Sequence, residues 1–164
     1  MKTLIIIRHA KSSWANIGEA DFDRPLNERG KKDAPEMAEK LLAANIKIDA
    51  FVSSPAKRAK KTCKAFMEMY NVERENIILI DELYNAQVAT FYQVVSSLKN
   101  DYNNVAMFSH NPGISEFANS LCNGVDIDDM PTCAVFAVQI NIDDWKDFES
   151  AEKKFLFFKY PKQD

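Results

Sequence analysis

Short apolar runs rich in β-branched residues alternate along this chain with longer stretches whose apolar residues recur every three or four positions. The first pattern suits strands buried in a sheet, and the second suits helices that bury one face. Their alternation predicts an α/β fold with crossover helices. Strands are expected near Thr3–Ile7, Ile48–Ser53, Ile77–Ile80, Val105–Ser109 and Ala134–Ile140. A sixth is expected over Lys154–Tyr160, where Phe155, Phe157 and Phe158 blur the alternation. Helices are expected over Glu28–Ala44, Pro55–Tyr70, Gln87–Lys99 and Ile114–Leu121. Ser54 is a capping residue and Pro55 suits a first helical position, where its missing N–H would have no partner anyway. Pro35 lies inside the first helix and is expected to kink or split it.

Composition narrows the class. At 164 residues, 46% hydrophobic and with 4 glycines, the chain suits one domain over residues 1–164. No stretch approaches the roughly 18 apolar residues that a membrane span needs. The opening run Leu4–Ile7 stops at Arg8, short of a secretory core of about 7–15 residues. A cytoplasmic protein with no membrane association is therefore expected. Cys63, Cys122 and Cys133 are odd in number and widely spaced, which suits reduced packing residues. The formal charge of -3, from 21 basic and 24 acidic residues, offers no basic field for nucleic acid. Asp126, Asp128 and Asp129 lack the glycine and distal glutamate of a calcium loop and read as a solvated turn, so no metal is expected.

The candidate chemistry sits at strand ends. The chain's 2 histidines each follow an apolar strand, in Arg8-His9-Ala10-Lys11-Ser12 and Ser109-His110-Asn111-Pro112-Gly113. Ligand crevices of open α/β sheets lie beyond the carboxyl ends of the strands, so both imidazoles should face one cleft. A third strand end, Ser53-Ser54-Pro55-Ala56-Lys57-Arg58, feeds a helix whose first amides suit an anion. Cations in a first helical turn oppose the macrodipole, and a bound anion would remove that conflict. The lysines at 57, 60, 61 and 64 also read as a solvated basic face.

Taken together, Arg8, Arg58 and His110 can surround one tetrahedral anion while His9 approaches it as nucleophile. Positive neighbours lower an imidazole's pKa and leave its lone pair free at neutral pH. The same cations neutralise the oxygens of a transferring phosphoryl group, where most phosphoryl-transfer catalysis resides.

These motifs, in this order, resemble the histidine phosphatase superfamily, with its phosphoglycerate-mutase-like fold. Arg8-His9-Ala10 stands at the family's Arg-His-Gly signature, Arg58 at its second arginine and His110 at its second histidine. Arg8-His9-Ala10-Lys11-Ser12-Ser13-Trp14 and Asp23-Arg24-Pro25-Leu26-Asn27-Glu28-Arg29-Gly30 resemble the small SixA-like phosphohistidine phosphatases. The resemblance implies a three-layer α/β/α sandwich around a mostly parallel sheet. It also implies a covalent phosphohistidine on His9, no cofactor and no metal. Ala10 departs from the usual glycine, and Ala15 stands where mutase-type members carry asparagine. For the general acid, Asp81 and Glu82 follow the third strand, and Glu82 is the expected choice. Lys11, Ser12, Arg24 and Asn111 are expected to contact substrate, while Trp14 and Phe22 read either as an apolar lip for a partner or as flanking core packing.

The leading expectation is a metal-independent phosphatase acting on phosphohistidine in a partner protein. A phosphatase of small phosphomonoesters is the enzymatic alternative, and a non-catalytic phosphate-binding module the other. A cysteine phosphatase lacks its C-x5-R loop, and a P-loop NTPase lacks G-x4-G-K-[ST].

Overall fold

A computed structural model describes residues 1–161. The strands are β1 (Lys2–Arg8), β2 (Ala50–Ser53), β3 (Ile78–Leu79), β4 (Asn104–Ser109), β5 (Val135–Ile140) and β6 (Lys153–Lys159). They form one sheet in the order β3-β2-β4-β1-β5-β6. The first four run parallel, β5 is antiparallel to β1, and β6 reverses again, so β5 alone opposes the common direction. The helices are α1 (Glu28–Ala43), α2 (Lys57–Met69), α3 (Val88–Ser96) and α4 (Gly113–Leu121). None is long and apolar enough to cross a membrane.

The central strand explains the layering. Leu4, Ile5, Ile6 and Ile7 are all fully buried, as a strand covered on both faces requires. Ile5 and Ile7 pack with Met37 and Leu41 of α1 and with Cys63 and Phe66 of α2. Leu4 and Ile6 join the opposite core with Phe91 of α3, Phe117 of α4, Trp145 and Phe148. Side chains alternate across a strand, so one apolar run anchors both helical layers of the α/β/α sandwich. Each such burial contributes about 1.5–3 kcal/mol before conformational entropy is charged against it.

Two local expectations are narrowed or corrected. Of the kink or split expected at Pro35, the split does not occur: the helix over Glu28–Ala43 is continuous. The second helix starts at Lys57, with Ala56 extended (φ -57°, ψ 139°) and no side-chain cap on it. Pro55 is therefore not a helical residue. The Ser54 hydroxyl accepts from the Ala56 N–H (3.2 Å) and meets His110 Nε2 (2.8 Å) instead of capping a helix.

The ends of β1, β2 and β4 and, because β5 is reversed, its beginning converge on one edge. The turn after β1 is fixed there by α1. The Asn27 side chain caps that helix by accepting from the Gly30 N–H (2.9 Å), while its own N–H donates to the Lys11 carbonyl (3.0 Å). A Cβ on Gly30 would lie 2.1 Å from the Lys11 oxygen, a backbone atom that cannot swing aside. Gly30→Ala should therefore displace the turn carrying His9. We expect a loss of roughly 1–3 kcal/mol in urea denaturation, and unchanged stability would contradict this packing.

Candidate active site

His9 is held by backbone contacts from three directions. Its N–H donates to the Ser109 carbonyl (3.1 Å), and the Cys133 N–H reaches the Arg8 and His9 carbonyls (3.1 Å each). Cys133 adopts φ +62° to do so, a left-handed conformation that costs a non-glycine residue about 1 kcal/mol. The Ala10 N–H donates to Thr62 Oγ1 (2.9 Å), whose proton goes to the Arg58 carbonyl (2.8 Å). Thr62 thus couples the His9 turn to the helical turn that carries Arg58.

The imidazole tautomer follows from these surroundings. His9 Nδ1 lies 2.7 Å from the Ala10 carbonyl, which can only accept, so Nδ1 carries the proton. Nε2 then has a free lone pair, toward which Arg58 Nε donates at 3.3 Å. The His9 and His110 ring centroids stand 5.1 Å apart. Burial pushes the His9 pKa down to about 3, helped by His110, Arg58 and Arg8 against the opposing bond to Ala10. Burial likewise brings His110 to about 3, with Arg58 the next cause. Among the described residues, Arg8 Nε and His110 Nδ1 are buried without partners. Arg8 Nε can only donate, and an oxyanion is the kind of acceptor it lacks.

Arg8, His9, Arg58 and His110 line one cavity of about 360 Å³. Lys11, Ser12, Arg24 and Asn111 line it as well. The Arg24 guanidinium donates to Ser12 Oγ (2.8 Å) and stacks 3.6 Å from the centre of the Trp14 ring. The Asn111 amide donates to the Met130 carbonyl (3.3 Å) and accepts from the Ser115 hydroxyl, so α4 fixes its orientation. Arg8 Nη1 donates to the same carbonyl (2.7 Å).

Glu82 is not brought to this cavity. It is exposed, on the one-turn helix Asp81–Leu83, and lines a separate hollow of about 550 Å³ with Ile78 and Ile80. That turn sends Leu83 into the core, where its carbonyl accepts from Ser109 Oγ (2.7 Å). Tyr84 approaches the site instead, edge-on to His110 with ring centroids 5.5 Å apart.

The carboxylate in the cavity wall is Asp21, which sequence reasoning missed. Asp21 Oδ2 accepts from Tyr84 Oη (2.6 Å) and Arg58 Nη2 (3.0 Å), while Oδ1 accepts from Arg24 Nε (3.2 Å). The Tyr84 hydrogen bond first, then Arg58 and Arg24, hold its pKa at about 2. No periodicity marked Asp21, and its nearness to Arg24 was the one available signal.

The family model of the histidine phosphatase superfamily, branch 1, matches residues 4–88. This chain belongs to the histidine phosphatase superfamily. The structure is similar to that of a protein assigned as phosphohistidine phosphatase SixA from Agrobacterium tumefaciens, with a TM-score of 0.80 and 26% identity over 98% of each chain. An uncharacterized chloroplastic protein of Arabidopsis thaliana is 29% identical across 89% of this chain and 70% of its own length. Phosphoserine phosphatase 1 of Hydrogenobacter thermophilus is 38% identical across 49% of this chain and 40% of its own length.

The family match, the SixA-like structure and the phosphoserine phosphatase relative together support a phosphatase, and the site suits one: an unprotonated imidazole edge faces a cavity lined by guanidinium groups. Its electrostatics also fix a pH dependence. Both histidines have folded-state pKa values below the ordinary 6.5, so the unfolded chain takes up their protons first as the pH falls. The stability that neutral burial secures is complete above about pH 6.5 and drains away toward pH 3. Both groups act in the same direction, so acid destabilises the fold across this window. In histidine NMR spectra of the folded protein, both Cε1 resonances should keep their neutral positions down to pH 5. A titration midpoint near 6.5 for either would contradict the assignment.

Proposed function

We propose that this chain is a metal-independent phosphatase that removes phosphate from phosphohistidine in a partner protein, through a transient phosphohistidine on His9. The His9 Nε2 lone pair attacks phosphorus, and the bond to the leaving group breaks on the opposite side. Arg8, Arg58 and His110 hold the phosphoryl oxygens, with Arg24, Lys11, Ser12 and Asn111 at the periphery. Water then attacks phospho-His9 and releases phosphate. The Nδ1 proton, held by the Ala10 carbonyl, lets His9 depart from phosphorus as neutral imidazole. Guanidinium groups supply the charge neutralisation that a metal provides elsewhere.

One observation carries the choice of substrate. Among the described residues lining the cavity, Asp21 is the carboxylate, and it is held ionised with a pKa of about 2. It cannot deliver a proton at neutral pH, and Glu82 lies elsewhere. An alkoxide leaving group requires such a proton. A phosphorylated imidazole brings its own on the second ring nitrogen. The exposed apolar side chains Trp14 and Ile17, on the segment that ends at Asp21, support a protein substrate. We place the protein in the cytoplasm, in keeping with its unpaired cysteines.

Wild type and variants should be offered a phosphohistidine protein, a phosphoaspartyl protein, sugar phosphates and an aryl phosphate. Phosphohistidine should be preferred, His9→Ala inactive throughout, and Arg58→Ala slower by about two or more orders of magnitude. Fast turnover of sugar phosphates would favour the small-phosphomonoester reading. Chelator should change nothing, and inhibition that added divalent metal reverses would overturn the mechanism. Rapid quenching should trap an acid-labile, base-stable phosphoenzyme that His9→Ala cannot form.

A further inference from the structure

We infer that the Asp21 carboxylate is the counterion of the leaving group: it accepts a hydrogen bond from the protonated imidazole ring of the phosphohistidine substrate and keeps the proton there until the P–N bond breaks. The inference rests on the phosphohistidine reading above and adds a specificity-determining residue to it.

The charge inventory of the cavity raises the need. Its charged lining side chains are Arg8, Lys11, Arg24, Arg58 and Asp21, with His9 and His110 held neutral. Four cations suit a phosphoryl dianion. They are hostile to a leaving ring that is itself a cation. Once the phosphoryl oxygens have taken up the guanidinium charge, Asp21 is the group left to offset an imidazolium. Without it, that ring would lose its proton to water and become a poor leaving group.

Geometry makes Asp21 available for this. Arg58 spans the two sites, donating through Nε to His9 Nε2 (3.3 Å) and through Nη2 to Asp21 Oδ2 (3.0 Å). The carboxylate therefore stands apart from the nucleophile by the width of one guanidinium, on the cation that cradles phosphate. Its position is fixed by donors from three segments: Tyr84 after β3, Arg58 from α2 and Arg24 from its own loop. Arg58 Nη1 also holds the Asp21 backbone carbonyl (2.7 Å). Oδ2 already accepts two hydrogen bonds, whereas Oδ1 accepts one, from Arg24. A carboxylate oxygen has room for two, so Oδ1 keeps an open position on a side chain that is 49% exposed in the cavity wall. The charged and titratable neighbours facing it are thus Arg24, Arg58 and Tyr84, with Arg8, His9, Lys11 and His110 in the same cavity and Asp23 on the same turn.

The step balances without another reactant. His9 Nε2 forms its bond to phosphorus. The P–N bond of the substrate breaks, and its electron pair stays on the departing nitrogen. The proton on the other ring nitrogen never leaves the ring, so neutral imidazole departs. Asp21 begins and ends ionised.

The test measures kcat/KM against pH for wild type, Asp21→Asn and Asp21→Glu, on a phosphohistidine peptide and on an aryl phosphate, with thermal melting to confirm folding. Hydrolysis of the peptide needs a protonated substrate ring, so its rate falls on an alkaline limb. In Asp21→Asn that limb should move about one unit toward lower pH, and the ratio of peptide to aryl phosphate activity at pH 8 should fall about tenfold. Asp21→Glu should restore most of the limb. An unchanged limb and ratio, or an equal loss on both substrates, overturns the inference. Failure of wild type on the peptide overturns the phosphohistidine reading itself and is distinguishable, because no variant is involved.

Discussion

The contact between Arg58 and His9 organises the rest of the site. A guanidinium cannot be deprotonated at neutral pH, so placing its Nε 3.3 Å from an imidazole nitrogen forces that nitrogen to present a lone pair. Burial of both residues makes the constraint strict, because little solvent is available to screen it. The cost of crowding Arg8, Arg24 and Arg58 around two neutral rings is offset in part by Asp21, which binds two of these arginines. The remaining imbalance favours an anion. The free lone pair on His9 and the surplus of positive charge in the cavity are thus two consequences of one arrangement.

The backbone holds this arrangement in place. His9 leaves a strand buried on both faces, and its turn is then gripped by β4, by the start of β5 and, through Thr62, by α2. The reversal of β5 matters here, since it brings Cys133 beside the carboxyl end of β1. A left-handed Cys133 and the close approach of Gly30 to Lys11 are local strains or exclusions that this packing imposes. The turn that presents His9 is thereby tied to β4, β5 and α2 at once, the kind of anchoring a preorganised site requires.

Asp21 and Glu82 illustrate how environment separates two carboxylates. Glu82 sits on a surface turn with solvent around it, whereas Asp21 is drawn into the cavity by a phenol and two guanidinium groups. A group stabilised so strongly as an anion is a poor acid and a good counterion. In the proposed function this links the electrostatics of one side chain to a leaving group that carries its own proton.

The sequence by itself determined the parallel arrangement of the main strands, the helices between them and the four residues at the heart of the site. Their signals are local: a run such as Leu4–Ile7, rich in β-branched residues and ended by Arg8, suits a buried strand, and Arg8, His9 and His110 stand at the ends of such runs. Ser54 was legible as a polar residue before a helix, but its duty toward His110 was not, because the partner lies 56 residues away. Only the tertiary structure decided which carboxylate enters the cavity. A turn of 3 residues points Leu83 inward and leaves Glu82 in solvent, and a loop from the other side of the site delivers Asp21. Periodicity reports which face of an element is buried, whereas the meeting of two loops depends on how whole layers stack, and no local pattern encodes that distance.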